Sequence, residues 1–413
     1  MQTEIGKIPR EWEIARLAEF VDINKKSIDP SKESPNNKFL YIDIDSVENG
    51  TGVIRNAKEV MGKDAPSRAR RLIRQNDVLM STVRPYLKAF TIVSKEFHNQ
   101  ICSTGFAVLT CRGKVFPSYL FYSLFTKSVI DQCKKMMVGG QYPALNSSQV
   151  SNIKLSLPPL PEQKKIAEIL STVDQAIEKV DEAIEKTQKL KKGLMQELLT
   201  RGIGHKEFKE TEIGRIPREW EVKSIMEIGT LQYGITKTGI KVNTGVKFLR
   251  ITDITDEGIK WHSVPYCELA KSELQKYELK DGDILFARIG ATTGKTCFIE
   301  KSPKSVFGSY LLRMQSLKDI DTKFLYFFTQ SLFYWNQVNA VKGGQLKGGL
   351  NTKLLGNIKL SIPPLSEQQK IAEILSTADE RLELLRKRKE RLERVKKGLM
   401  NDLLTGKKRV KLS

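Results

Sequence analysis

The chain is written twice. Residues 3–13, TEIGKIPREWE, return 208 positions later as TEIGRIPREWE at 211–221. Residues 157–172, LPPLPEQKKIAEILST, return 205 positions later as IPPLSEQQKIAEILST, and KKGLM at 191–195 returns at 396–400 with that same shift. Stacked repeat proteins recur every 20 to 50 residues or so. A period of about half the 413-residue chain therefore describes one duplicated half rather than a solenoid. Each half is long enough to bury a core of its own.

Between these near-identical ends the halves agree only faintly. FLYID at 39–43 answers FLRIT at 248–252, and Asp77-Val78-Leu79 answers Asp283-Ile284-Leu285. Later, Gly139-Gly140-Gln141 answers Gly343-Gly344-Gln345, and NIKL at 152–155 answers NIKL at 357–360. A kept framework with divergent loops is what two readers of different targets on one scaffold look like. Drift after duplication explains the loops but leaves the near-identical ends without a cause.

Each half splits again by hydrophobic period. Residues 16–156 and 222–361 carry short β-rich runs (VLMSTV at 78–83, FAVLT at 106–110, DILFA at 283–287) broken by Gly, Pro and Asn. Helical patterns occur among them at 119–125 and 324–328. These are expected to be mixed α/β domains.

After each Pro-Pro pair the period becomes helical. Pro161 and Ser366 open the two segments, the serine as a candidate N-cap, with acidic residues in the first turn favoured by the helix dipole. The first stripe runs Ile166, Leu170, Val173, Ile177, Val180, Ile184, Thr187, Leu190, Leu194, Leu198. The second runs Ile371, Leu375, Ala378, Leu382, Leu385, Lys389, Leu392, Val395, Leu399, Leu403. Steps of three and four sustained over about five heptads make a coiled-coil seam. Two helices of about 40 residues, each about 60 Å long, need partner surfaces for these stripes.

The expected partner is each other. Antiparallel pairing would relate the two domains by a rough two-fold and make the helix pair a ruler between them. Parallel pairing and a zipper between separate chains are the alternatives. Lys389, set against an apolar residue, is a candidate register cue. The boundaries expected are domains at 1–157 and 205–361, with helical segments at 158–204 and 362–413.

The formal net charge of +21 points to a polyanionic partner, nucleic acid first. No apolar run is long enough for a membrane span, and Met1-Gln2-Thr3-Glu4 does not open a signal peptide, so a cytoplasmic protein is expected. Cys102, Cys111, Cys133, Cys267 and Cys297 form no C-x-x-C pair and are read as buried thiols.

Catalytic motifs are missing. His98, His205 and His262 lack metal-site spacing, and no G-x-S-x-G elbow occurs. Residues 290–296, GATTGKT, approach a phosphate loop but have one residue too few between the glycines. The corresponding stretch of the first half, Val83 to Lys88, has no glycine for a phosphate cradle. Both are read as loops after a strand. The Pro-Pro pairs lack the flanking Asn, Asp or Ser and the aromatic of an amino-methyltransferase motif.

Two divergent domains, each introduced by I-G-x-I-P-x-x-W and closed by P-P-L-x-E-Q-x-x-I-A-x-I-L with a long helix ending K-K-G-L-M, resemble the specificity subunits of type I restriction-modification enzymes. The resemblance spans nearly the whole chain. Asp283 to Arg288, followed by Gly290, Gly294 and Lys295, is similar to a motif of that family's target-recognition domains, and the first half departs from it there.

The resemblance implies two mixed α/β target-recognition domains in a pseudo-two-fold arrangement, separated by an antiparallel coiled coil. Each domain would read half of a bipartite, asymmetric site in double-stranded DNA, with helix length fixing the spacer. It implies no catalysis and no cofactor in this chain. Two modification subunits with S-adenosylmethionine, methylating adenine N6, and two restriction subunits driven by ATP and Mg would supply the chemistry. A stand-alone architectural DNA binder and a complete methyltransferase are the rival classes.

Half-sites read from one face of a duplex lie about one turn, near 34 Å, apart. Basic groups supply phosphate affinity while Arg, Gln and Asn discriminate bases. The candidate DNA-binding residues are Arg84, Tyr86, Lys88, Gln141, Tyr142 and Asn146 in the first half. Those of the second are Arg288, Lys295, Lys342, Gln345, Lys347 and Asn351.

Overall fold

The computed structural model describes residues 1–4, 6–137, 143–255, 258–343 and 349–411, with backbone alone for Lys342 and Gly343. The chain forms two compact units. One joins Met1–Asp181 to Lys387–Ser413; the other is Glu182–Arg386. Each contains one repeat's globular part and halves of both long helices.

The two units repeat one topology. In the first, a sheet runs in the order Val21–Ile23, Phe106–Cys111, Val78–Ser81, Phe90–Ile92, antiparallel throughout. In the second the order is Gly229–Tyr233, Leu311–Ser316, Ile284–Ala287, Thr296–Phe298, again antiparallel. All four residues of Val78–Ser81 and of Ile284–Ala287 are buried. Near-continuous apolar runs suit a strand covered on both faces. A parallel pair recurs too, Lys38–Ile42 with Ile101–Ser103 and Lys247–Leu249 with Ser305–Phe307. Helices Pro117–Leu124 and Thr322–Phe328 bury their aromatic faces, so the mixed α/β expectation holds.

The repeat ends meet in a two-stranded ribbon. Glu13–Arg16 pairs with Lys154–Leu157, and Glu221–Ser224 with Lys359–Ile362. Each ribbon delivers the chain to a long helix, Leu160–Leu198 or Leu365–Leu403. Ser366 lies inside the first turn and is not the N-cap, because the helix already begins at Leu365.

Within each unit the helices run antiparallel. In the first, Ile166 and Leu170 share a core with Leu399 and Leu403, and Asp174 and Asp181 meet Lys396 and Lys389 at 2.6 Å each. In the second, Leu194 and Leu198 share a core with Ile371 and Leu375, and Lys191 meets Asp379 at 2.6 Å. Start against end is the antiparallel arrangement; the stripes find partners inside the chain. Of the expected seam, Ile166, Leu170, Val180, Leu198, Ile371, Leu375, Leu382 and Leu403 are buried. Val173, Ile177, Ile184, Leu194, Leu385, Leu392 and Leu399 are half-buried.

Leu190 and Val395 are corrections. They are 59% and 45% exposed, and the next residues, Lys191 and Lys396, turn inward instead. A heptad allows either position. The lysines win because each finds a carboxylate: Lys191 binds Asp379 beside the Phe327 ring, and Lys396 binds Asp174 beside Tyr122, whose hydroxyl donates to that same Asp174. Lys389 is likewise opposite Asp181, not an apolar residue.

The first long helix ends in a left-handed glycine. Gly202 has φ +67°, and a Cβ there would stand 2.4 Å from Glu367 Oε1 and 2.7 Å from the Trp220 ring. G202A is expected to cost about 2 kcal/mol or more, since the conformation alone disfavours an L side chain by roughly 1–2 kcal/mol. Gly193, in the same helix with nothing within 4 Å of its would-be Cβ, is the control. G193A should gain up to about 1 kcal/mol; equal melting temperatures for the two variants would refute this account.

Among the described residues no helix is long and apolar enough to cross a membrane.

Candidate nucleic-acid interface

The near-identical repeat ends build the joint between each globular domain and its helices. In the first unit the Trp12 indole donates to Glu162 at 3.1 Å, and Arg409 donates to both oxygens of that carboxylate at 2.6 and 2.9 Å. In the second, Glu367 accepts from Trp220 at 3.0 Å and from the Ile203 amide at 2.8 Å, with His205 Nε2 at 2.9 Å.

The adjacent glutamines clamp the loop ahead. Gln163 donates to Pro158 and Lys114 carbonyls and accepts from the Phe116 amide; Gln368 donates to Pro363 and Asp319 and accepts from Asp321. The two sequence motifs contain the tryptophan and the glutamate, but neither motif by itself says that the two side chains meet. The signal was present, because two distant motifs stayed invariant together in both copies.

The candidate reading surface lies where the central strand of each sheet ends. Beyond Val78–Ser81 the chain turns through Arg84 (φ +46°), the short helix Pro85–Leu87 and Lys88 (φ +61°). Left-handed residues other than glycine are uncommon and concentrate where function demands a shape. Tyr86 and Leu87 are held out to solvent, 36% and 45% exposed. The Arg84 amide donates to Pro143, which draws in the segment carrying Asn146. Arg84, Tyr86, Lys88 and Asn146 thus sit on two neighbouring segments; Gln141 and Tyr142 lie outside the described residues.

In the second unit, strands Ile284–Ala287 and Thr296–Phe298 form a hairpin around 288–295, in which Gly294 donates to Ala287 and Ala287 to Lys295. A phosphate loop would open a helix; this loop follows a strand, as read from the sequence, and leads into a second strand. Arg288 donates to Leu350 and Ser309 carbonyls and lies over the Tyr233 ring at 5.0 Å. Lys295 is exposed. Asn351 follows Leu350, whose amide donates to Arg288. Gln345 and Lys347, and the Lys342 side chain, lie outside what is described.

Asn146 and Asn351 have structural work. Their side-chain oxygens cap short helices by accepting from Gln149 and Leu354 amides, each at 2.8 Å.

Among the described residues no group of three His, Cys, Asp or Glu could hold a metal. The cysteines are free thiols, and burial pushes Cys111, Cys133 and Cys297 up to about 12 and raises Cys102 and Cys267 as well. Protonated thiols are poor nucleophiles.

The family model described as the type I restriction modification DNA specificity domain matches twice, at residues 9–186 and 217–394. The chain belongs to this family. Two relatives in the type I specificity family span nearly all of it. The MjaVIII specificity subunit of Methanocaldococcus jannaschii is 31% identical, over 98% of this chain and 95% of that protein. The putative MjaX specificity subunit of the same organism is 30% identical over 99% and 96%. Two solved structures share the fold. The type I system S subunit of M. genitalium has a TM-score of 0.62 at 14% identity over the full length of both chains. A chain from a study of type I system assembly and conformational transition has 0.59 at 24%, over 97% and 99%.

Proposed function

We propose that this chain is the sequence-reading subunit of a type I restriction-modification complex, each unit reading one half of a bipartite site in double-stranded DNA. The observation that supports this best is the doubled architecture: one topology and one helix joint twice over, with different residues at the strand ends. The high positive charge supplies phosphate affinity, and the strand-end surfaces supply selection.

The chain provides address rather than reaction. Modification subunits with S-adenosylmethionine would methylate adenine, and restriction subunits using ATP and Mg would translocate and cut. Two of each fit a chain with two equivalent halves. The helices between the halves set the unspecified spacer.

The test is selection of randomised duplexes by the chain co-expressed with a modification subunit, with methylated adenines then mapped. One bipartite sequence with a fixed spacer is expected. Binding should weaken steeply with salt, log K falling by about 0.9 per phosphate contacted for each decade. Salt-sensitive binding with equal affinity for scrambled duplexes would make it an architectural protein instead, and methylation by the isolated chain would make it an enzyme.

A further inference from the structure

The two reading surfaces can be superposed residue by residue through their backbone hydrogen bonds. In the first unit Thr82 follows the central strand; its amide donates to Gly105 at 2.8 Å and its carbonyl accepts from Leu145 at 2.9 Å. In the second, the Arg288 amide donates to Tyr310 at 3.1 Å and its carbonyl accepts from Leu350 at 2.8 Å. Thr82 is therefore the counterpart of Arg288, Gly105 of Tyr310, and the capping Asn146 of the capping Asn351. Arg84 and Arg288, both basic and both near a strand end, are not equivalent. Strand register extends the match: Leu109 faces Ile23 as Met314 faces Leu231, which sets Lys25 opposite Tyr233 in the comparison.

What the backbone needs has been kept, and the side chains beside it have been exchanged. The asparagine caps are the same, whereas Lys25, Thr82 and Gly105 stand where the second unit has Tyr233, Arg288 and Tyr310. Drift on a solvated surface leaves loosely held polar groups. Here the Arg288 guanidinium is fixed by two carbonyls and a ring, the Tyr233 hydroxyl accepts from the Thr352 amide at 3.3 Å, and Tyr310, 55% exposed, immediately precedes the buried strand Leu311–Ser316. A pre-oriented guanidinium suits the acceptor pair of guanine, and exposed tyrosines give contact area at small entropic cost.

We infer that Arg288, Tyr233 and Tyr310 determine the second half-site, and that Lys25 and Thr82 shape the reading of the first. This rests on the DNA-reading function proposed above. None of the three residues bears on the helix joint, so the other half-site should be indifferent to them.

The experiment grafts the first unit's identities onto the second, Y233K, R288T and Y310G together, in the full chain co-expressed with a modification subunit. Wild type is selected first; if it shows no bipartite preference, the DNA-reading function itself falls. Given that preference, the graft should lose selectivity roughly 10- to 100-fold at one or more positions of one half-site and keep the other. Y310A alone is the second variant, since its side chain is exposed and the strand does not depend on it; it should relax the same half-site. Both half-sites unchanged in both variants, with wild-type melting, would overturn the inference, as would changes spread equally over both.

Discussion

Trp220→Ala should lower the melting transition of the Glu182–Arg386 unit by roughly 10 °C and leave the other unit's transition in place. Trp220 is fully buried, and truncating such a ring costs about 3–5 kcal/mol; in a domain near 200 residues each kcal/mol shifts melting by roughly 2–4 °C. Glu367→Ala should follow at about 2–4 kcal/mol, because it strips the acceptor from Trp220, Ile203 and His205 at once, and the donors on Trp220 and His205, largely shielded from water, cost about 1–3 kcal/mol each when left unpaired. Glu367→Gln keeps one oxygen and should cost less. Trp12→Ala makes the reciprocal measurement, since Trp12 donates to Glu162 in the other unit. Calorimetry that resolves two transitions reads all four. A Glu367→Ala protein melting like wild type would show that the carboxylate is incidental to the joint.

That joint also explains what the sequence could and could not tell. The doubling, the two long striped helices and the α/β character were legible because each is a periodic or repeated signal. A buried seam is a stripe of Leu and Ile, and a strand covered on both faces reads as VLMS or ILFA. The contact of Trp12 with Glu162 is neither; it joins residues 150 positions apart through one hydrogen bond. Leu190 and Val395 were misplaced for a related reason. Hydrophobicity favours leucine over lysine in a seam, but the outcome turned on Asp379 and Asp174 across the interface, which no single-helix pattern contains. At the proposed reading surface the expected basic residues Arg84, Lys88, Arg288 and Lys295 fall near the strand ends, whereas Tyr233 and Tyr310 come beside Arg288 only through strand pairing and loop hydrogen bonds that no local motif contains. The asparagines were read for their base-binding chemistry, while the backbone uses their oxygens as caps.

Lengthening both long helices by four residues, one insertion after Asp181 and one after Arg386, should leave each half-site as it was and lengthen the spacer by about two base pairs. The chain crosses between its compact units at these two points, Asp181 to Glu182 and Arg386 to Lys387, and both lie inside helices. Insertions there disturb none of the pairs that hold either unit together, including Asp181 with Lys389, Asp174 with Lys396 and Lys191 with Asp379. Four helical residues add about 6 Å, against 3.4 Å per base pair along a duplex. One insertion alone is a different perturbation. The two connections then differ in length by a helical turn, one helix must bulge or break, and selective methylation should fall by orders of magnitude although each unit still melts near its own temperature. The matched pair restores equal connections, so recovery of activity on a longer site separates a ruler from a mere tether. A doubly extended protein that methylates the original spacer with undiminished preference would mean that something other than helix length sets the distance between the half-sites.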